Sequence, residues 1–176
     1  MTPQERLANY PRHPSIRGEF GFELYKHMVN NKNIFLLMGD LGYKLFDSHR
    51  EDFPDRALNL GASEGSMVGI AVGLAQEGKI AVCYTISSFY LRAAETIALY
   101  LHGEQTPVKL VGSGRDDDYK HDGPSHHGGL SQAFLSDGPH GILNIKNFYP
   151  QEMEDVPSTT EVMLYSSKPC FMSLKK

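Results

Sequence analysis

The stretch that decides the fold is NLGASEGSMVGIAVGLA, residues 59–75. It predicts a short buried strand over residues 57–60, a sharp exit at Gly61, and a helix capped at its start by Ser63. Glu64 then lies in the first turn of a helix that carries little other polarity. Two interpretations of this carboxylate are open: an acidic residue that stabilises the helix dipole, or a functional group.

The helix predicted after Glu64 contains three glycines, Gly65, Gly69 and Gly73. Each glycine in a helix interior costs roughly 1 kcal/mol relative to alanine. Together with the apolar residues between them, the glycines predict a helix that is buried on most sides. We therefore expect another backbone or a ligand to pack unusually close to this helix.

The rest of the chain alternates short apolar runs with segments of helical periodicity. The predicted strands cover residues 34–38, 57–60, 79–85, 107–112, 142–146 and 169–174. The predicted helices cover residues 15–30, 64–77, 88–102, 129–136 and 151–167. Short apolar strands separated by helices are typical of a parallel sheet covered on both faces. The sequence therefore predicts an α/β fold with a doubly wound, mostly parallel six-stranded sheet, in which residues 1–14 are an N-terminal extension and residues 15–176 one domain.

Polar and glycine-rich segments follow the predicted strands at their carboxyl ends. In a doubly wound sheet these ends form one edge, and ligands bind beyond it. Asp40 follows the first strand, Glu64 the second and Phe89 the third, and residues 112–129 form a long polar loop after the fourth. Long connections of this kind are usually functional. We therefore expect these segments to converge on one edge of the sheet.

The long polar loop brings three histidines, His121, His126 and His127, close to Asp122. Three interpretations are open: a solvated polar loop, a functional loop, or a metal site that adds an aspartate from residues 116–118. Neither HExxH nor another fixed metal spacing is present, so no metal ligand is predicted in this chain.

Composition argues against several classes of partner. The formal net charge is −4 and the isoelectric point is about 6.0, whereas a nucleic-acid backbone or an anionic membrane surface calls for a basic face. No apolar run reaches the length of a membrane span, and the N-terminus has no signal-peptide pattern. Cys83 and Cys170 are predicted to be separate buried thiols, since neither belongs to a CxxC motif. We expect a cytoplasmic protein that binds neither nucleic acid nor membrane.

Five segments in register resemble one family of enzymes. They are Gly39-Asp40-Leu41-Gly42, residues 59–75, residues 84–93 with Phe89 and Arg92, residues 107–112, and Asp122-Gly123-Pro124-Ser125-His126. Over residues 15–174 this order is similar to the pyrimidine-binding domain of transketolase and of 1-deoxyxylulose-5-phosphate synthase. The resemblance implies chemistry that depends on thiamine diphosphate.

The resemblance also implies roles in cofactor binding. Glu64 corresponds to the glutamate that hydrogen-bonds a ring nitrogen of the cofactor's aminopyrimidine and triggers loss of the thiazolium proton, so it is the expected catalytic group. Phe89 falls where the family stacks an aromatic ring on the pyrimidine, with an ordinary core phenylalanine as the alternative. Asp40, Ser63 and Ile86 are expected to line the same pocket, and a turn-capping side chain is the alternative for Asp40.

On the substrate side, the resemblance places Asp122 and His126 beside the donor substrate, where an imidazole can assist proton transfer near neutral pH. Further candidates for substrate binding are His121, His127 and Arg92. For Arg92 two roles are open: binding a phosphate or carboxylate of the substrate, or pairing with Glu95 or with an acid across an interface. The expected substrate is a sugar phosphate or a 2-oxo acid.

The chain departs from the family in what it lacks. Holding the diphosphate takes a magnesium motif of the type Gly-Asp-Gly followed by an asparagine, and only Gly39-Asp40-Leu41 occurs in this sequence. The resemblance therefore implies one subunit of a split enzyme, whose diphosphate-binding partner subunit holds the diphosphate and Mg²⁺. We expect an α2β2 heterotetramer in which the Glu64 helix makes a homodimer contact. The expected reaction is transfer of a two-carbon ketol unit, or decarboxylation and condensation of a 2-oxo acid; the alternative is a non-catalytic assembly or regulatory protein that keeps the fold.

Overall fold

The structure is a computed structural model that describes residues 1–129, 134–135 and 143–176. The strands within these residues are β1 (Ile34–Met38), β2 (Ala57–Asn59), β3 (Ile80–Ile86), β4 (Lys109–Ser113), β5 (Lys146–Phe148) and β6 (Cys170–Leu174). They form one sheet with the order β2-β1-β3-β4-β6-β5, and every neighbouring pair is parallel. The predicted doubly wound α/β fold is confirmed, and the described sheet is wholly rather than mostly parallel.

Helices connect these strands. The described α-helices are α1 (Pro3–Ala8), α2 (Ile16–Asn30), α3 (Asp47–Asp52), α4 (Glu64–Gln76), α5 (Ala94–Thr96) and α6 (Val156–Leu164). A 3₁₀ turn (Ser87–Ala93) precedes α5 and a π-helix (Ile97–Gly103) follows it; further 3₁₀ turns are Lys120–Asp122, Pro124–His126 and Met153–Asp155. The helix predicted over residues 129–136 falls for the most part outside the described residues. None of the described helices is long and apolar enough to cross a membrane.

Sequence periodicity does not predict α1 and α3, because neither helix completes two turns. Helix α1 begins at a reciprocal capping box, in which Glu5 N donates to Thr2 Oγ1 at 3.3 Å and Thr2 N donates to Glu5 Oε2 at 2.7 Å. The guanidinium of Arg6 then reaches Asp52 at the end of α3, with Nε 2.7 Å from Oδ2. The first residues of the chain are thereby attached to the helical layer of the domain.

The core lies on both faces of the sheet. On one face, Phe20 of α2 packs in the same buried cluster as Leu36 of β1, together with residues of α6. On the other face, Met67 of α4 shares a cluster with Leu37 of β1 and with the helical segment that contains α5. Consecutive residues of β1 therefore face opposite helical layers, which explains why this strand is apolar throughout. Both cysteines are buried and free, as predicted.

The fifth strand begins later than the apolar run at residues 142–146 predicts. Its backbone pairs with β6 only from Lys146, which lies opposite Cys170. Leu143 and Ile145 are buried in the second core cluster although they precede the strand. Burial of these two side chains accounts for the apolar pattern, and the pattern does not by itself fix where the strand begins.

Helix α4 is buried on one face only, so the expectation of burial on most sides was wrong for the chain by itself. Met67 and Ala71 are fully buried against β3, whereas Gly69, Ile70 and Gly73 are exposed. A Cβ atom added to Gly69 or Gly73 would meet no heavy atom within 4 Å. The expected close approach of another backbone has no counterpart at these two glycines within the described part of the chain.

The topology positions the site by bringing the carboxyl ends of β1 and β3 together. The chain leaves β1 for the outer strand β2 and returns to pair β3 with the other side of β1. Such a reversal of strand order opens a crevice at the carboxyl edge, where ligands of doubly wound sheets bind. Gly39 follows β1 at this point, and its N–H donates to the carbonyl of Tyr84 at 3.0 Å.

Candidate functional site

Glu64 is the first residue of α4, and its side chain is buried, with 1 % exposed. One carboxylate oxygen, Oε1, accepts a hydrogen bond from Arg92 Nη1 at 3.0 Å. The other, Oε2, finds no hydrogen-bond partner among the described residues. A buried polar atom without a partner costs about 1–3 kcal/mol, so such atoms are rare and call for an explanation. Oε2 is an acceptor that is available to a donor from outside the described chain.

A small space lies beside Glu64, between the ends of β1 and β3. We call it the cradle, and Gly39, Thr85 and Glu64 form it. A Cβ atom on Gly39 would stand 3.0 Å from Thr85 Oγ1 and 3.6 Å from Glu64 Cγ. Thr85 is fully buried, and its hydroxyl also has no partner among the described residues. The absence of a side chain at Gly39 therefore leaves room between two polar groups that have unused hydrogen-bonding capacity. Sequence reasoning assigned no role to Gly39 or Thr85; the available signal was their place at the ends of neighbouring strands.

Arg92, Phe89 and His126 continue the site outward from Glu64. Arg92 lies over the face of Phe89, with its Cζ atom 4.0 Å from the ring centroid. The His126 ring meets the same phenylalanine edge to face, at a centroid distance of 5.0 Å. Ser88 Oγ joins the two segments by donating to the carbonyl of Ser125 at 2.7 Å. The structure thus brings Glu64 and three other predicted residues into one continuous row.

The remaining predicted residues of the long loop lie nearer to solvent. Asp122 and His121 form an exposed pair, with Nε2 and Oδ2 3.4 Å apart, and His127 is exposed. His126 Nδ1 lies 3.0 Å from Ser125 Oγ. Within the described ranges, no group of three or more His, Cys, Asp or Glu side chains is placed to hold a metal ion.

Three more residues were predicted to line the cofactor pocket: Asp40, Ser63 and Ile86. They are exposed, partly buried and buried, respectively. Asp40 is exposed and has a positive φ of 51°, and its N–H donates to Asn59 Oδ1 at 3.1 Å. Ser63 precedes α4 as predicted, but its hydroxyl donates to the Leu60 carbonyl at 2.9 Å and makes no capping bond to the helix. Ile86 is buried at the end of β3.

A cavity of about 510 Å³ lies at the same edge, beyond the ends of the first three strands. Met38 and Tyr84 line it from the α2 side of the sheet, and burial raises the pKa of Tyr84 to about 12. The other charged or titratable lining residues are His13, Arg17, Asp40, Tyr43, Lys44 and Arg50. Its volume is that of a small-molecule site, and its charge is predominantly positive. Sequence reasoning predicted Asp40 but missed the cations, because Arg17, Lys44 and Arg50 are scattered along the chain and share no motif.

Comparison with known proteins places this geometry in a family. A sequence profile described as "Transketolase, pyrimidine binding domain" matches residues 13–176. A 1-deoxy-D-xylulose-5-phosphate synthase from Chlamydia muridarum is 32% identical over 97 residues, which cover 55% of this chain and 15% of that protein. One subunit of an apulose-4-phosphate transketolase from Actinobacillus succinogenes is 38% identical over 78 residues, which cover 44% of this chain and 25% of that protein. The matched segments are thus a quarter or less of these relatives' own length.

Solved structures share the fold. A split gene transketolase described as an inactive β4 tetramer superimposes with a TM-score of 0.77 and 23% identity, covering 93% of this chain and 51% of that chain. Transketolase from Campylobacter jejuni gives a TM-score of 0.75 and 18% identity, covering 98% of this chain and 29% of that chain. Since the family profile spans nearly the whole chain and these structures share its architecture, this protein belongs to the transketolase pyrimidine-binding domain family.

Proposed function

We propose that this chain is the pyrimidine-binding subunit of a split, thiamine diphosphate-dependent transferase of the transketolase type. The observation that carries the proposal is the buried carboxylate of Glu64, whose Oε2 has no partner among the described residues. The reaction is transfer of a two-carbon ketol unit between sugar phosphates, with decarboxylation and condensation of a 2-oxo acid as a variant. When bound, thiamine diphosphate supplies a thiazolium carbanion that adds to carbonyl carbons and stores the electron pair released on carbon–carbon cleavage.

The residues around Glu64 fit an aminopyrimidine ring. Oε2 offers an acceptor to a protonated ring nitrogen, and Thr85 Oγ1 offers a second polar contact. Gly39 leaves space between them, since a Cβ there would already be in tight contact with Thr85. Phe89, between Arg92 and His126 in the row, supplies an aromatic ring for contact with the flat cofactor ring. This set of donors, acceptors and apolar area matches a planar heterocycle better than a metal ion or a phosphate.

In this function Glu64 holds the ring nitrogen and shares its proton, which is the trigger for cofactor activation. His126, in contact with Phe89, lies at the outer end of the row, where an imidazole can move a proton to or from substrate oxygen near neutral pH. Asp122 ends the 3₁₀ turn that precedes the turn of His126, and it contributes a carboxylate to the same loop. Ser63, Ile86 and Asp40 complete the surroundings of the ring.

The substrate's anionic group has a candidate position in the cationic cavity. Arg17, Lys44 and Arg50 line it, with Asp40 as the facing carboxylate. Arg17 is held in place by hydrogen bonds from Nη1 to Ser113 Oγ at 3.3 Å and to Tyr119 Oη at 2.7 Å. A guanidinium fixed in this way suits a phosphate or carboxylate. His121, His127 and Arg92 are further substrate-binding candidates on the other side of the edge.

A partner subunit is part of the proposal. The diphosphate and Mg²⁺ would be held by a diphosphate-binding subunit, and two similar proteins are described as one subunit of a transketolase and as a split gene transketolase. The exposed face of α4 with Gly69, Ile70 and Gly73 is the proposed contact between two copies of this chain. Gly69 and Gly73 let helix backbones approach closely, and Ile70 offers exposed apolar surface. An α2β2 assembly that is active only when both subunits are present follows from this division of the site.

The test uses the complex that co-purifies with the tagged chain from its native cell. With thiamine diphosphate and Mg²⁺, the wild-type complex should transfer ketol units, and Glu64→Gln should assemble normally but be inactive. Glu77→Gln is the matched control, because Glu77 is exposed at the far end of the same helix. Assembly of an inactive wild-type complex that does not bind the cofactor would instead support the alternative, a non-catalytic assembly or regulatory protein.

A further inference from the structure

Arg92 and Glu64 form an ion pair of unequal burial. The Glu64 side chain is 1% exposed, whereas the Arg92 side chain is 50% exposed, so the charge partner of the buried carboxylate comes from the mouth of the site. Within the described residues only Oε1 is engaged, at 3.0 Å. From this geometry, and resting on the function proposed above, we infer that Arg92 is a positioning residue, which holds Glu64 through Oε1 so that Oε2 remains free for the pyrimidine.

Arg92 is itself fixed by its neighbours. Its guanidinium lies on the face of Phe89, which adds a cation–π contact to the hydrogen bond with Glu64. The 3₁₀ turn that carries both residues is anchored at Tyr90, whose buried hydroxyl donates to the carbonyls of Cys83 and Val111 at 2.9 and 3.0 Å. A planar guanidinium held on a ring can donate in a defined direction, which a lysine ammonium does less well.

The arrangement controls which form of Glu64 meets the ring. Glu64 and the ring nitrogen share one proton, and a buried carboxylate without a positive partner takes up a proton readily, so loss of the guanidinium would leave this pair with one proton too many. In the part of the chain that the structure describes, the other titratable groups near Glu64 do not supply that positive charge. Burial raises the pKa of Tyr90 well above its usual value, so this phenol is neutral. His126 lies beyond Phe89, and Asp40 follows Gly39 on the cavity side.

A comparable arginine elsewhere in the chain provides a matched control. Arg12 Nη2 lies 3.1 Å from Glu19 Oε1, and Arg12 Cζ lies 3.7 Å from the centroid of the Phe22 ring. The Glu19 side chain is mostly buried and Arg12 is half-exposed, as in the Glu64 pair. Arg12→Met therefore removes the same kinds of contact without touching Glu64.

The first experiment measures kcat as a function of pH for the co-purified complex. The complex carries the wild-type chain, Arg92→Met, Arg92→Lys or Arg12→Met. We expect Arg92→Met to move the acid limb of kcat upward by about one pH unit, with activity recovering towards the wild-type value at alkaline pH. Arg92→Lys should restore part of the profile, and Arg12→Met should leave it unchanged. An Arg92→Met profile that coincides with wild type would overturn the inference. Tighter cofactor binding by Arg92→Met would also overturn it, since the guanidinium would then only occupy the place of the ring.

The second experiment needs no cofactor, and it separates failure of this inference from failure of the proposed function. In urea unfolding of the full chain, Arg92→Met should lower the midpoint relative to wild type, because it leaves the buried Glu64 carboxylate without the hydrogen bond to Oε1. The difference should vanish in the Glu64→Gln background. Persistence of the difference in that background would contradict the pairing. An inactive wild-type complex contradicts the proposed function, whereas an active wild type with unaltered Arg92→Met contradicts only the inference.

Discussion

Thr85 Oγ1 lies 3.0 Å from the point that a Cβ atom on Gly39 would occupy, and Glu64 Cγ lies 3.6 Å from the same point. Both side chains are buried, and each has one oxygen without a hydrogen-bond partner in the described residues. A methyl group on Gly39 would therefore crowd Thr85 in the cradle formed by these three residues, whereas glycine leaves the cradle open. Its chemistry leads to the first prediction.

Gly39→Ala should lower the affinity of the assembled complex for thiamine diphosphate by about tenfold, which corresponds to about 1.4 kcal/mol. The added methyl crowds the Thr85 hydroxyl and fills the space beside Glu64, so the ring loses its fit. Isothermal titration of the complex with the cofactor measures the change. Equal affinity in wild type and Gly39→Ala would show that the cradle is not where the ring binds.

Gly73→Ala should raise the stability of the isolated chain but weaken the association of two copies. A Cβ atom at Gly73 meets no heavy atom of the described residues within 4 Å, so the substitution should stabilise the chain by about 0.5–1 kcal/mol through helix propensity. If two copies approach through this face of α4, the same methyl should weaken self-association. Urea unfolding and sedimentation measure the two effects. Stabilisation with unchanged self-association would place the homodimer contact elsewhere.

His49 should make folding sensitive to acid. It is fully buried in contact with the rings of Tyr10, Tyr25 and Phe46, and burial lowers its pKa to about 3. In the unfolded chain the imidazole takes up a proton at about pH 6.5, whereas in the folded chain it stays neutral to a much lower pH. The stability that depends on a neutral His49 is therefore fully present above about pH 6.5. It is lost as the pH falls towards about 3, by about 1.4 kcal/mol per pH unit.

The variant His49→Gln should flatten this dependence in urea unfolding measured as a function of pH, even if it lowers stability at neutral pH. His13→Gln serves as the control, since His13 is exposed. If the free energy of unfolding of His49→Gln falls with pH as steeply as that of wild type, other groups cause the acid sensitivity.

Arg17→Met and Arg50→Met should each raise the KM for an anionic substrate by about tenfold and change kcat little, since a charge-assisted contact is worth about 1.5–3 kcal/mol. Both arginines line the cavity of about 510 Å³. Steady-state kinetics of the complex tests this, with Arg12→Met as the control for loss of a positive charge. A fall in kcat at constant KM would argue against a binding role for the cavity.

Much of the fold is predictable because it depends on local patterns. Continuous apolar runs predict the central strands β1 and β3, and the doubly wound order then brings Asp40, Glu64 and Phe89 to one edge. The apolar pattern fails where residues of an apolar segment are not buried. Ile70 and Gly73 belong to an apolar helix but are exposed. Leu143 shows the converse, since it is buried without being part of a strand.

The site itself is less predictable, because its contacts join distant segments. Arg92 pairs with Glu64, 28 positions away, and not with its neighbour Glu95, which the sequence made the simpler candidate. The unpartnered oxygens of Glu64 and Thr85 depend on which groups are missing from their surroundings, and no sequence pattern encodes that. The cations of the cavity come from three separate segments, so they carry no motif.

The central claim is that Glu64 activates a thiamine cofactor. The most direct measurement is the rate at which the thiazolium carbon of bound thiamine diphosphate exchanges its proton for deuterium, followed by quenched-flow NMR in the assembled complex. We predict fast exchange with wild type and with Glu77→Gln, and exchange at least about 100-fold slower with Glu64→Gln. Exchange in the Glu64→Gln complex as fast as in wild type would contradict the claim.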